Sequence, residues 1–170
     1  MELTSLDYAR LIQYAAQKKH RTMLNKTQIN KILFYVYGAY LADTGNQLFK
    51  DDFPQAWMFG PVFPRVYKRI DVDEIVKTFD KETIDAFNSN QRALDIISES
   101  VAKMCKMTAT SLSEWSHEED SPWYKTIYIF NENGDFIEQK TWSTKIEDGL
   151  IIEYFSNKQN RKFDGWNKSN

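Results

Sequence analysis

The chain has 170 residues, 42% of them apolar, with a net charge of −2 and a single cysteine. That length supports one core burying roughly 70% of the unfolded chain's surface and is short for two domains, so one domain is expected over residues 1–156, with a polar tail at 157–170. No apolar run reaches the about eighteen residues of a membrane span, the acidic start MELTSLDYAR is unlike a signal peptide, and one cysteine leaves no intramolecular disulfide, so the expectation is a cytoplasmic protein with no membrane partner.

Thr4 and Asp7 have the spacing of a capping box ahead of Tyr8, Leu11, Ile12, Ala15 and Ala16 at helical intervals. KKHR then supplies cations to a helix C-terminus, which predicts a helix over about 5–20. A second helix is expected from Asn25 or Thr27. It places Ile29, Ile32, Leu33, Val36, Tyr40 and Leu41 on one stripe and ends at DTG, where Gly45 can turn left-handed. Gly38 in its middle costs roughly 1 kcal/mol against alanine, so it reads as a place where another backbone comes close, with Ala42 one turn on.

The segment LFKDDFPQAWMFGPVFPRVYKRI holds Pro54, Gly60, Pro61 and Pro64, which break any continuous helix. Residues 56–59 read as a short extended segment, and Pro64 opens a third helix carrying Val66, Tyr67 and Ile70. Residues 73–87 read as weakly patterned helix. From Ser89 the spacing of Leu94, Ile97, Val101 and Met104 predicts a long amphipathic helix to about Lys106, with Cys105 a buried thiol beside Met104 and Met107. Thr108 caps a short helix that turns Leu112, Trp115 and Ser116 inward. NENGD, between TIYIF and FIEQ, reads as a hairpin turn. Ser143 or Thr144 is expected to cap a last helix through Ile146, Leu150, Ile151, Tyr154 and Phe155. The tail is expected to be loose apart from Phe163 and Trp166. The fold class is therefore mainly α, a single multi-helix domain with a short extended segment and a hairpin.

Charge is unevenly spread. No acid lies between Tyr8 and Ala42, a segment holding Arg10, Lys18, Lys19, Arg21, Lys26 and Lys31, whereas residues 43–170 carry sixteen basic against twenty-two acidic side chains. A basic face follows, suited to the protein's own acidic half or to an acidic protein partner better than to nucleic acid. Aromatic residues make up 15% of the chain, more than one modest core needs, and Trp and Tyr are enriched at the centres of protein interfaces.

SLSEWSHEEDSPWYKT, residues 111–126, concentrates residue types that bind metals and move protons. Two histidines and one cysteine, without H-E-x-x-H or C-x-x-C spacing, fall short of a metal's ligand set. Helix neighbours diverge by about 100°, so neither His117 with Glu118 nor Ser116 with His117 converges on one ion or substrate. No metal and no cofactor are expected. The same residues suit a joint between helices. His117 ends one helix as a cation on its negative pole, Ser121 caps the next and Pro122 opens it. Glu118, Glu119 and Asp120 gather at the positive end, and Trp115 and Trp123 pin both helices to the core.

Taken together, the K-x-L-x-Y helix (Lys31, Leu33, Tyr35) ending in YLADTG, then AWMFGPVFPRVY, then HEEDSPW, resemble the Panacea domain, the SocA-like family of bacterial and phage antitoxins. The stretch YIFNENGDFIEQKTWSTK is longer than the family's usual link to its final helix. The resemblance implies a mostly helical, non-enzymatic antitoxin of a toxin-antitoxin system that binds a cognate toxin encoded by a neighbouring gene. Passing that toxin to a protease, with the protease or a chaperone as further partner, is the alternative. A hydrolase or modifying enzyme using His117 and its acidic neighbours is the remaining one. The toxin-facing residues expected are Trp57, Phe59, Phe63, Arg65 and Tyr67 around the GPV turn, with His117, Glu119 and Asp120 as an acidic rim. Lys31, Gly38, Gly60, Pro61, Trp115, Pro122 and Trp123 are expected to shape the fold.

Overall fold

The fold is built around the second predicted helix. A computed structural model describes residues 1–163. In chain order its elements are α1 (Ser5–His20), α2 (Lys26–Thr44), β1 (Gln55–Trp57), β2 (Gly60–Val62), α3 (Pro64–Arg69), α4 (Lys81–Asn88), α5 (Gln91–Met104), α6 (Ala109–Ser116), α7 (Pro122–Ile127), β3 (Tyr128–Phe130), β4 (Phe136–Gln139), β5 (Thr144–Lys145), α8 (Asp148–Ser156) and a 3₁₀ turn at Lys158–Arg161. No helix among the described residues is long and apolar enough to cross a membrane.

Helix α2 starts at Asn25, whose side chain accepts from the Gln28 N–H while Gln28 returns a bond to the Asn25 N–H, and it stops at Gly45 with φ 74°. The single apolar stripe expected for it is a misreading: every residue from Ile29 to Ala39 is buried. α1, α5, α6, α8, α3 and β2 all pack on it, so it is an axis enclosed on every side. Gly38 admits a close neighbour, but not another backbone. The Phe155 ring of α8 stands where a side chain would begin, with Cδ2 and Cε2 each 2.2 Å from an ideal Cβ.

α1 has the predicted capping box between Thr4 and Asp7. It also explains why residues 71–76 are not helical, contrary to the helix expected over 73–87. Gln13 Nε2 donates to the Asp71 carbonyl at 2.8 Å, Gln17 Nε2 donates to the Glu74 carbonyl at 2.9 Å, and Gln17 Oε1 accepts from the Val76 N–H at 2.9 Å. These bonds satisfy backbone groups that would otherwise require a helix. Helix begins only after Asp80, which caps α4 through the Thr83 N–H. α5 and α6 follow as expected, capped by Asn90 and Thr108.

Pro54, Gly60 and Pro61 give a hairpin rather than one extended piece. β1 pairs antiparallel with β2 and with β5, in the order β2-β1-β5, Ala56 lying opposite Pro61 on one side and Thr144 on the other. That pairing corrects the start of the last helix. Ser143 has φ 78°, Thr144 and Lys145 are strand, and α8 begins only after Glu147 with no side-chain cap. NENGD does turn a hairpin, joining β3 to β4, with Phe130, Phe136 and Ile137 exposed on it. In the tail, expected to be loose apart from Phe163 and Trp166, Lys158–Arg161 form the 3₁₀ turn and Phe163 is an anchor as expected. Arg161 donates to Asp43 at 2.8 Å, and Phe163 is buried 5.5 Å from the Tyr35 ring and 5.4 Å from Trp115. Trp166 lies outside the described residues.

Candidate functional site

The site is assembled where α2 meets the β1–β2 turn. Two adjacent polar residues interrupt the apolar surface of α2. Asn30 Oδ1 accepts from the Phe63 N–H at 2.9 Å, and Lys31 Nζ donates to the Pro61 carbonyl at 3.0 Å. Together they bind the GPVF segment to the axis. Lys31 is therefore buried, 1% exposed, and does not belong to the basic face expected from the charge pattern. No carboxylate pairs with it among the described residues, and burial pulls its pKa down to about 7.

Gly60 has φ 116°, and a Cβ there would lie 2.5 Å from Ser116 Oγ and 2.6 Å from Lys31 Cε. Both conformation and space require glycine. The turn thus presses onto the last residue of α6 on one side and the lysine stem on the other. Its tip projects: Met58 is 53% exposed and Phe59 69%. Trp57 leans on Tyr67 with ring centres 5.1 Å apart, and Lys26 Nζ lies 4.7 Å from the Tyr67 ring centre. These groups surround a cleft of about 280 Å³ with Lys31 in its wall.

The α6–α7 joint abuts this turn. Ser121 caps α7 by accepting from the Tyr124 N–H at 3.1 Å, with Pro122 first in the helix. Trp115 and Trp123 are buried, as the joint requires. Trp123 Nε1 donates to the Trp57 carbonyl at 2.6 Å, and its ring stacks on His117 at 3.9 Å between centres. His117 occupies the C-cap of α6, but not as a cation. Burial, followed by the positive charge of Lys31, lowers its pKa to about 4, and its Nε2 is buried without a partner. The imidazole contributes as a flat neutral ring. Burial, then Asp120, raises the pKa of Glu118, while Glu119 and Asp120 are exposed.

Of the residues expected to face a partner, Trp57, Phe59 and Tyr67 come together around the cleft. Arg65 is exposed on α3 with Nε 4.0 Å from Asp51 Oδ2, and Glu119 and Asp120 stand on the neighbouring corner. Phe63 does not face outward. It is fully buried against Tyr37 and Phe49, at 5.5 and 5.3 Å, because the chain dives beneath α2 immediately after β2. Met58 and Lys26 were not anticipated, nor was the cleft-facing place of Lys31. The signal was available in part: Lys31 is the lone charge between Thr27 and Ala42, which marks a side chain whose ammonium must be accommodated inside. No group of three or more His, Cys, Asp and Glu among the described residues could hold a metal ion. The arrangement supplies surface, an aromatic rim and one buried amine.

Comparison with known proteins gives a consistent picture. Residues 29–124 match the family described as Antitoxin SocA-like, Panacea domain, a span that contains α2 from Ile29 onward, the turn and the α6–α7 joint, with Lys26 and Thr27 of the cleft lying just ahead of it. The chain is 29% identical over 110 residues to the protein named Antitoxin SocA of Caulobacter vibrioides (strain NA1000 / CB15N), the match covering 59% of this chain and 58% of that protein. The chain therefore spans under two thirds of that curated relative. No solved structure matches it.

Proposed function

The chain belongs to the SocA-like antitoxin family that carries the Panacea domain, and on that premise we propose that it neutralises a cognate toxin by binding it directly. The observation that supports this reading most is the turn at Met58 and Phe59. A soluble domain gains nothing by holding a 69% exposed phenylalanine and a half-exposed methionine on a rigidly braced hairpin, whereas a partner would bury them. The toxin-facing surface comprises Trp57, Phe59, Arg65 and Tyr67, with His117, Glu119 and Asp120 on the adjoining corner. Affinity is concentrated in the aromatic group, and the acids set orientation and encounter rate.

The antitoxin acts in the cytoplasm, stoichiometrically and without turnover. Co-expression with the neighbouring gene is the test. Growth arrest by that gene alone, relief by this chain and co-purification of the two products support the reading. Relief at greatly substoichiometric amounts would refute it in favour of a catalyst, and relief that vanishes in a protease-deficient host would assign delivery instead of masking.

A further inference from the structure

The cleft beside α2 combines features that specify what it accepts. Its lining includes two cations, Lys26 and Lys31, and no acid. Its walls are the rings of Trp57 and Tyr67 and the exposed tip of Met58 and Phe59. An ammonium can donate three hydrogen bonds, and Lys31 Nζ makes one, to the Pro61 carbonyl. A buried ammonium without a counter-charge is unfavourable in the free protein and strongly attractive to an anion that arrives with its own apolar carrier. A basic segment would be repelled, and a purely apolar one would leave the amine unanswered.

We propose that this cleft receives an acidic and apolar segment of the toxin, its carboxylate pairing with Lys31 and Lys26 while an adjacent aliphatic or aromatic side chain packs between Trp57, Phe59 and Tyr67. The proposal rests on the masking reading above and names the chemistry that reading leaves open. It carries a proton signature. Lys31 is only partly protonated near neutrality in the free chain, so carboxylate binding draws a proton onto it. The other titratable groups facing it are Lys26 and Tyr67 across the cleft and His117 from the end of α6.

The test uses the complex with the protein encoded by the adjacent gene, with affinity and proton uptake measured at pH 8 by calorimetry in buffers of different ionisation enthalpy. Lys31→Met keeps the stem and removes the charge. It is expected to weaken binding at least about thirtyfold, the loss typical of truncating a buried charge pair, and to abolish proton uptake. Phe59→Ser, at an exposed site, is expected to weaken binding about tenfold or more at unchanged melting temperature, and it decides the matter if Lys31→Met fails to fold. Replacing the toxin's Asp and Glu residues singly by Asn and Gln should reveal one position whose loss is non-additive with Lys31→Met. Full affinity in Phe59→Ser or in folded Lys31→Met, or no sensitive acidic position in the toxin, overturns the proposal while the masking reading stands. A wild-type chain that neither binds nor rescues sinks both. A small carboxylic acid retained by the purified chain in native mass spectrometry, with toxin bound equally in its absence, assigns the cleft to a metabolite and also overturns the proposal.

Discussion

Replacing Gly38 by alanine separates two opposing effects in the middle of α2. Intrinsic helix propensity favours the alanine by about 1 kcal/mol. Packing opposes it, because the new methyl would sit 2.2 Å from two Phe155 ring carbons, where carbons rest about 3.5–4.0 Å apart. The ring cannot withdraw easily. It meets Phe34, Tyr35 and Tyr154 at 5.8, 5.7 and 5.0 Å between centres, and α8 is tied to the axis by Tyr37, whose hydroxyl donates to Asp148 at 3.0 Å. Overpacking of this kind costs typically about 1–3 kcal/mol even after relaxation, and the ring or helix must give way by roughly 1.3–1.8 Å here. Set against the propensity gain, Gly38→Ala should therefore destabilise by up to about 2 kcal/mol net. In a Phe155→Ala background, itself about 3–5 kcal/mol less stable, the obstacle is gone and the same substitution should stabilise by up to about 1 kcal/mol. Urea denaturation followed by tryptophan fluorescence, run as a double-mutant cycle, reads the change of sign. A Gly38→Ala protein more stable than its parent, or equal effects in both backgrounds, would refute the reasoning.

Gly60→Ala should lose stability by about 1–3 kcal/mol and toxin binding together, since φ 116° and contacts to Ser116 and Lys31 both forbid the side chain; a thermal melt paired with a pull-down checks this. Asp43 accepts from Arg92, Lys158 and Arg161, and although burial pushes its carboxyl upward, the three cations hold it well below the usual carboxylate range. Its contribution is fully present above about pH 4 and is lost progressively as pH falls toward the depressed folded-state value, so Asp43→Asn should cost about 2 kcal/mol at pH 7 and steadily less at each pH below 4, measured by denaturant titration. His117 has the opposite chemistry but the same direction: with its pKa at about 4, the unfolded chain takes up a proton first, and stability should fall between about pH 6.5 and 4. His117→Phe should flatten that window. Lys31 does the same at alkaline pH. Stability should decline as pH drops from about 10.5 toward 7, and Lys31→Met should remove the slope in a pH series of melts.

Local chemistry made much of this chain readable. The caps at Thr4, Asn25, Thr108 and Ser121, the left-handed stop at Gly45 and the prolines at 64 and 122 each act within one helical turn, so the elements they bound follow from residue type and spacing. The motifs that carry the family likeness are likewise contiguous, and the joint between α6 and α7 could be assembled from neighbours in sequence. What needed the tertiary structure were the properties that depend on residues far apart. Residues 71–76 stay out of helix because glutamines nearly sixty positions earlier satisfy their backbone. Thr144 is strand because β1 offers it an edge. Phe63, equal in sequence to its aromatic neighbours, is core because the chain turns beneath α2, while Phe59 four residues earlier points outward. Lys31 and His117 are ordinary titrating side chains on paper. Burial moves both away from their usual charge states, with the charge of Lys31 adding to the effect on His117, because the free energy of a charge is set by the medium and the charges around it, which only the folded chain supplies.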